Sequence, residues 1–220
     1  MKIIYFLTFL WVNTLLAQNF YPTIYYVVDE NTFSCIGQYL NVSYLGTERT
    51  SLYTPEGEFL EEVCTRFSKA LAMEGTGILK NGKTVNWAGN YKYSVVKTCK
   101  YGIGAQKLCL IPFYTIAADL KVYSLNDAIY IKEAQGLKLP DGTTHNGLFL
   151  VRDTGSAFVG VGDSRIDIFS GTQPDYNNVF KDAGFTLSVP LSGYILKNTE
   201  KEKALEFFNK TFPDLMKSED

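Results

Sequence analysis

Two short segments give the first indication of the fold, DTGSA at residues 153–157 and RIDIF at residues 165–169. Successive side chains of a strand point to opposite faces, so Ile166 and Ile168 share one face of the second segment. Asp167 lies on the other face, in mid-strand, where carboxylates are depleted. The pattern predicts a strand with one face in an apolar core and a carboxyl on its polar face.

Asp153 ends a different predicted strand at 147–152, and the Thr-Gly pair that follows it is typical of a turn. If the two strands pair or cross, the carboxyls of Asp153 and Asp167 converge. These two segments therefore predict a polar cleft.

Residues 1–17 have the pattern of a secretory signal peptide, with one lysine near the start, an apolar run from Ile3 to Val12 and Ala17 at the expected cleavage point. The apolar run is too short to span a bilayer. No cysteine follows the cleavage point directly, so no bacterial lipid anchor is indicated. We expect export to the periplasm or out of the cell, and a mature chain of about 200 residues that forms one domain or a domain with an appendage.

Composition is that of a globular protein, with 46% hydrophobic and 15% aromatic residues. The formal net charge of -2 offers no attraction to a polyanion. Nucleic-acid binding is therefore disfavoured.

The four cysteines of an exported chain are expected to form disulfides. Three pairings are open to them. Cys99 and Cys109 flank a predicted hairpin, which favours Cys99–Cys109 together with Cys35–Cys64. A zinc site is disfavoured because the chain has one histidine and no tight Cys-x-x-Cys pair.

Hydrophobic periodicity predicts a helix at each side of a strand-rich centre. The first is an amphipathic helix at 56–73, with Thr54 as its N-cap and Pro55 at its first position. The last runs from about 200 to 212. Asn81-Gly82 between two strand-like runs predicts a hairpin. His145, in a polar loop, is expected to be exposed. Further short strands are predicted at 92–96, 108–118, 128–132, 147–153, 165–169 and 185–191, a spacing that favours a closed barrel or a sandwich.

Four of these segments together resemble a known family. They read IAAD at 116–119, IYI at 129–131, DTGSA at 153–157 and RIDIF at 165–169. In combination they resemble the three-aspartate ("3D") domain, the double-psi β-barrel domain of the membrane-bound lytic transglycosylase A family and of related cell-wall enzymes. Earlier and later pieces also look like that family, namely 75–77, 81–82, 89–93 and 171–191.

The resemblance covers about residues 73–192 and implies the fold. It implies a mainly β protein in which 73–192 form a double-psi β-barrel. An N-terminal extension at 18–72, containing the helix at 56–73, would precede the barrel, and a C-terminal helical region at 193–220 would follow it.

Several positions depart from the family pattern. Ser156 stands where the family usually has glycine, Val159 where it has lysine and Leu120 where it has proline, and the gap between Asp153 and Asp167 is longer than usual. The large second domain of the transglycosylase A branch has no room here. One wall of the substrate groove would be missing, or supplied by the N-terminal region.

The resemblance also implies an activity, cleavage of the β-1,4 bond between N-acetylmuramic acid and N-acetylglucosamine with a 1,6-anhydro product. Asp167 matches the family's catalytic aspartate and would act as both acid and base. Asp119 and Asp153 would orient the site. The expected substrate-binding residues are Thr76, Gly77, Thr154, Gly155 and Arg165. Peptidoglycan glycan strands would be the partner of a monomeric enzyme that needs no cofactor or metal.

Other interpretations of the same residues stay open. A non-catalytic, expansin-like barrel would bind the cell wall without turnover, and a two-carboxylate hydrolase, similar to family 45 endoglucanases, would cut another polysaccharide. An aspartate before Thr-Gly is often only a turn residue, and Arg165 with Asp167 could form a surface ion pair of under about 1 kcal/mol.

Overall fold

The computed structural model describes residues 17–33, 35–39, 42–45 and 48–219. The expected signal peptide lies outside these residues except for its last position, so its presence and cleavage stay predictions. Within the described ranges, no helix combines the length and the apolar character needed to cross a membrane.

Strands dominate the described chain, and three helices with α-helical geometry accompany them there. The strands are β1 (Gln18–Tyr25), β2 (Val28–Asp29), β3 (Ile36–Tyr39), β4 (Val42–Leu45), β5 (Arg49–Tyr53), β6 (Phe59–Cys64), β7 (Thr76–Ile78), β8 (Thr84–Trp87), β9 (Tyr93–Val96), β10 (Thr115–Ala117), β11 (Ala128–Ile131), β12 (Leu148–Asp153), β13 (Arg165–Phe169) and β14 (Leu191–Ile195). The helices are α1 (Thr65–Glu74), α2 (Val179–Asp182) and α3 (Asn198–Thr211).

Six strands close into a barrel in the order β1, β13, β10, β12, β11 and β14, and β14 pairs back onto β1. The β1–β13 and β10–β12 pairs are parallel, and the other neighbours are antiparallel. Closure leaves the barrel without an unpaired edge. The expected mainly β fold with a closed barrel is confirmed, whereas the double-psi crossover stays a prediction. The barrel interior is filled by fully buried apolar side chains, among them Phe20, Ile116, Ile129, Phe149, Ile166 and Ile168.

The barrel differs from the expected segment 73–192 in its strands. β1, assigned from the sequence to the N-terminal extension, is a barrel strand, because it pairs with β13 and β14 and its Phe20 is buried in the barrel core. Conversely, β7, β8 and β9 lie outside the barrel, in a second sheet of order β2-β7-β8-β9. Pairing partners far away in sequence place β1 in the barrel, whereas β7, β8 and β9 pair mainly with one another.

The second sheet packs on α1 around Val28, Phe67 and Leu71. Its β7–β8 hairpin turns at Asn81-Gly82, as predicted, and Gly82 adopts the positive φ of +83° that such a turn needs. The sheet and α1 together form a body beside the barrel.

The predicted helix at 56–73 is wrong over its first half. Residues 59–64 form β6, which pairs with β5, and the helix begins only at Thr65. Phe59, placed by helical spacing on the buried stripe, is 60% exposed. Thr54 closes the β5–β6 turn by accepting a hydrogen bond from the backbone N–H of Glu58, so it does not cap a helix. An apolar spacing that fits a helix also fitted a hairpin, and pairing with β5 selected the hairpin.

His145 is buried, and the expectation of an exposed loop residue is wrong. Its ring stacks on Tyr114 at 4.4 Å and contacts Phe149. Nε2 lies 2.9 Å from the Phe113 carbonyl, and Nδ1 accepts a hydrogen bond from the Gly147 N–H. These partners satisfy both ring nitrogens, which is what allows a polar ring to sit in this part of the core.

The C-terminal helix and the disulfides agree with expectation. α3 buries Ala204 and Phe208 against the outside of the barrel. The structure forms Cys35–Cys64 and Cys99–Cys109, the pairing that the sequence favoured.

Candidate active site

A cleft of about 470 Å³ lies between the barrel and the second sheet with α1. The barrel wall comes from the ends of β1, β10 and β12 and from the middle of β13, and the opposite wall from the end of α1 and from β7 and β8. The lining residues on the barrel side are Tyr25, Ala117, Asp153, Thr154, Gly155, Ser156, Phe158 and Asp167. Those on the other side and on the adjoining loop are Ala72, Met73, Glu74, Gly75, Thr76, Asn86, Trp87, Ile103, Gly104 and Ala105.

Asp153 and Asp167 flank one small residue of the barrel wall. Their strands do not pair with each other, because β10 runs between them, and Ala117 is the register partner of both aspartates. The predicted convergence of the two carboxyls is therefore achieved across a shared neighbour. A larger side chain than that of Ala117 would fill the space that the carboxyls face.

Asp167 combines burial with an unused acceptor. Its Oδ1 is buried and has no hydrogen-bond partner in the described chain. Burial is the main cause that raises the pKa of its carboxyl to about 7. The Thr23 hydroxyl and Arg165 act in the opposite direction, and the charges of Glu74 and Asp153 add to the rise. Such a carboxyl is a proton donor and a proton acceptor near neutral pH.

Asp153 has a similar environment at the end of β12. Burial raises the pKa of its carboxyl to about 7, against the opposing effect of the Thr154 N–H, which donates to Oδ1 at 2.8 Å. The buried Tyr25 hydroxyl lies close enough to lower the Asp153 pKa, although no hydrogen bond of normal geometry joins the two groups. The cleft thus holds two barrel carboxyls that change protonation in the same pH range.

Asp119 does not line the cleft. It is buried, its Oδ1 accepts from the Lys121 N–H at 3.0 Å, and its Oδ2 accepts from the Gly160 N–H at 2.7 Å. These backbone hydrogen bonds, first of all the one from Lys121, lower the pKa of Asp119. The role that these contacts support is to hold the loop after Phe158 in place.

The expected substrate-binding residues are divided between the cleft and the packing around it. Thr154 and Gly155 line the cleft, as does Thr76, whose hydroxyl donates to Asn86 Oδ1 at 2.7 Å. Gly77 lies outside it, in close packing, since an added Cβ would come within 2.8 Å of a Leu71 methyl.

Arg165 also lies outside the cleft lining. Its guanidinium lies over the Phe158 ring, 5.9 Å from the centroid. No ion pair joins it to Asp167 in the part of the chain that the structure describes. Arg165 therefore acts on Asp167 through its charge, which lowers the Asp167 pKa, and not through contact.

Several lining residues were missed by the sequence interpretation. Glu74, the last residue of α1, carries a carboxyl whose pKa is raised to about 7, mainly by burial. Trp87 also lines the cleft, with its ring edge-on to Tyr91 and Tyr93. The sequence could have indicated Glu74, because the following Gly75 predicts a helix end and a carboxylate is disfavoured at the negative end of a helix. The sequence around Trp87 gives no comparable indication of a cleft residue.

The chemistry that the cleft offers is proton transfer. Three carboxyls line it, and each has a pKa raised to about 7. Among the described residues, no three histidine, cysteine, aspartate or glutamate side chains are grouped closely enough to hold a metal ion.

Comparison with known proteins gives a domain match over part of the chain and a similar fold. Residues 114–186 match the model of the 3D domain. No curated protein matches the chain. The structure of E. coli MltA with bound chitohexaose is similar, with a TM-score of 0.53 and 12% identity over 82% of this chain and 72% of that one. A membrane-bound lytic murein transglycosylase from Agrobacterium tumefaciens matches with a TM-score of 0.49 and 14% identity, over 84% of this chain and 75% of that one.

Proposed function

We propose that this protein, whose residues 114–186 match the model of the 3D domain, is a peptidoglycan lytic transglycosylase with Asp167 as its single acid and base. The observation that carries the proposal is the Asp167 carboxyl, which lines the cleft and whose Oδ1 is buried without a hydrogen-bond partner among the described residues. The same barrel fold in E. coli MltA, whose structure holds chitohexaose, supports a glycan as the ligand.

The proposed reaction consumes no water, because the attacking hydroxyl belongs to the sugar itself. The protonated Asp167 carboxyl gives its proton to the oxygen that leaves C1 of N-acetylmuramic acid, and the C1–O bond breaks. The C6 hydroxyl of the same sugar attacks C1, forms the 1,6-anhydro bond, and returns a proton to the Asp167 carboxylate. One carboxyl with a pKa of about 7 suits both halves of this cycle, because it holds and accepts the proton with similar ease.

Asp153 is proposed to assist and not to react. Its charge raises the pKa of Asp167, and its own carboxyl is oriented by the Thr154 N–H. Thr154, Gly155 and Thr76 are proposed to contact the glycan, since they line the cleft. Asp119 would act at a distance, by holding the loop at 158–162.

The proposed setting is the periplasm or the extracellular space, and the proposed active form is a monomer. Two disulfides suit an oxidising compartment. The wall opposite the barrel, expected to be missing or N-terminal in origin, is provided by the end of α1 and by β7 and β8.

Product analysis tests the proposal. The chain from Gln18 onward and its Asp167→Asn variant are incubated with purified peptidoglycan, with Asp141→Asn, an exposed aspartate in a distant turn, as the matched control. We expect anhydro-muropeptides from the wild type and the control, and a loss of about 10²–10⁴-fold in the Asp167→Asn variant.

The other outcomes separate the alternatives. New reducing ends would indicate a hydrolase, in which Asp153 and Asp167 share the work of acid and base. Sedimentation with peptidoglycan without products would indicate a binding protein. Undiminished turnover by the Asp167→Asn variant would contradict the assignment of Asp167.

A further inference from the structure

Glu74 occupies a position that helix stability disfavours. It is the last residue of α1, and Gly75 ends the helix with a φ of +83°. A carboxylate at this end meets the partial negative charge of the helix dipole. Residues that violate a local rule without a local gain are concentrated at functional sites.

The Glu74 side chain is nevertheless held in place. Its Oε2 accepts a hydrogen bond of 3.2 Å from the backbone N–H of Tyr26, the residue that follows β1. Because β1 is a barrel strand, this bond reaches from α1 to the barrel. The Glu74 carboxyl is thereby anchored at the boundary between the two bodies that enclose the cleft.

Glu74 and Asp167 line opposite walls of the cleft, and their charges interact. The Glu74 charge raises the Asp167 pKa more strongly than does Asp153, the neighbour that the sequence indicated.

We propose that Glu74 is a positioning residue that keeps the Asp167 carboxyl protonated for transfer to the glycosidic oxygen, acting by its charge from the opposite wall of the cleft. This inference rests on the proposed function, because it assigns Glu74 a part in that same reaction.

The other groups that face Asp167 limit the size of the effect. Thr23 on β1 and Arg165 on β13 favour the ionised form of Asp167, and Asp153 on β12 favours the protonated form. Tyr25, on β1, is neutral in this pH range, since burial raises the pKa of its hydroxyl well above the usual value.

Glu74 has its own surroundings. It contacts the Tyr26 N–H, and Asp175, outside the cleft lining, raises its pKa by charge. The charges that act most strongly on Asp167 are those of Glu74, Arg165 and Asp153. Asp175 therefore offers a control charge that acts on Glu74 and is not one of the main charges acting on the proposed acid.

The sign of the expected change follows from charge. Glu74→Gln removes a negative charge but keeps an oxygen that can accept from Tyr26. Without that charge the Asp167 carboxyl loses its proton at a lower pH. The alkaline limb of the pH profile of kcat/KM should therefore move to lower pH, while activity on the acidic side should stay close to that of the wild type.

The test compares Glu74→Gln, Glu74→Asp and Asp175→Asn with the wild type on peptidoglycan from pH 4.5 to 9. A shift of roughly half a unit to one unit corresponds to a roughly three- to tenfold loss of activity above the Asp167 pKa. Glu74→Asp, which keeps the charge, should restore most of the wild-type profile, and Asp175→Asn should leave it in place.

A second measurement does not depend on activity. The titration of the Asp167 side-chain carbon, followed by NMR in ¹³C-labelled protein, should move to lower pH in Glu74→Gln and not in Asp175→Asn. An unchanged midpoint in a folded Glu74→Gln variant, or a uniform loss of activity at every pH, would overturn the role of Glu74. Absence of anhydro products from the wild type would instead overturn the proposed function.

Discussion

At the level of single residues, burial in the folded protein destabilises the ionised forms of Asp153 and Asp167. Their pKa values of about 7 in the folded state exceed the usual aspartate value of about 3.9. Between these values the folded state binds more protons than the unfolded state, so stability falls as pH rises from about 4 to about 7. A group that lowers stability at working pH is expected at a functional site.

Asp167→Asn should therefore stabilise the protein at alkaline pH. The substitution removes the buried charge, and the free energy of unfolding at pH 8 should rise by on the order of 2–4 kcal/mol, with little change at pH 4. Urea unfolding of both proteins at the two pH values measures the difference. Destabilisation of equal size at both would show that Asp167 is held by structural contacts.

His145 should produce the opposite dependence on pH. Burial lowers its pKa to about 4, against the contact with the Phe113 carbonyl, whereas the unfolded chain titrates near 6.5. As pH falls from about 6.5 to about 4, the unfolded state gains a proton that folded His145 does not, so stability falls.

The variant His145→Gln isolates this contribution. It should be less stable at pH 7.5 by roughly 2 kcal/mol through lost ring packing, and the difference from the wild type should shrink as pH falls to 4. Urea unfolding across this range gives the comparison. A difference that stays constant with pH would mean that folding does not change the His145 pKa.

At the scale of elements, the segment after α3 anchors the strand that carries Asp153. Arg152 on β12 is fully buried, and its guanidinium donates to the carbonyl oxygens of Leu215 at 2.7 Å and Lys217 at 3.0 Å. Glu219 accepts from the Thr98 hydroxyl and from the backbone N–H groups of Lys97, Thr98 and Cys99, and these hydrogen bonds lower its pKa to about 2 although burial opposes this. Residues 215–219 thus hold β12 and the segment at 97–99 together.

Removal of residues 215–220 should destabilise the protein markedly. Arg152 would keep its charge but lose both carbonyl acceptors, and a buried charge without partners costs about 3–5 kcal/mol. Urea unfolding measures the loss. Lys217→Ala is the matched control, because it keeps the backbone carbonyl and removes only an exposed ion pair with Asp214, worth under about 1 kcal/mol. An equal loss in both variants would contradict this role of the carbonyl groups.

At the scale of the whole molecule, the cleft exists because two bodies are held side by side. The Cys99–Cys109 disulfide brackets the loop at 102–105, part of which lines the cleft. Gly104 lets this loop approach the barrel, since an added Cβ would lie 2.3 Å from the Arg152 carbonyl oxygen. The Cys35–Cys64 disulfide instead joins the N-terminal region to the start of α1, away from the cleft lining.

The two disulfides should therefore differ in their effects. Loops of 10 and 29 residues correspond to about 3 and 4 kcal/mol in the chain-entropy model. Replacement of Cys35 and Cys64 by alanine should cost more stability yet leave activity per folded molecule unchanged. Replacement of Cys99 and Cys109 should also lower activity per folded molecule. Thermal unfolding and turnover of the two double variants test this. Equal turnover would show that the loop between Cys99 and Cys109 does not affect the site.

The amino-acid sequence was sufficient to predict the features that depend on local pattern. Strand alternation predicted that Ile166 and Ile168 face a core while Asp167 faces a cleft, and the Asn81-Gly82 turn and the C-terminal helix follow from neighbouring residues. The aspartate motifs indicated the 3D domain. These predictions succeeded because alternation, turn chemistry and helical spacing act over a few residues.

Features that depend on distant partners are visible only in the folded molecule. Residues with helix-like spacing form the strand β6 because they pair with β5, and His145 is buried because aromatic rings pack around it. Asp119 accepts hydrogen bonds from backbone N–H groups and so does not line the cleft. Glu74 comes to face Asp167 only because α1 packs beside the barrel. Burial and charge interactions act through space, so the protonation of the site is a property of the folded molecule and not of any one segment.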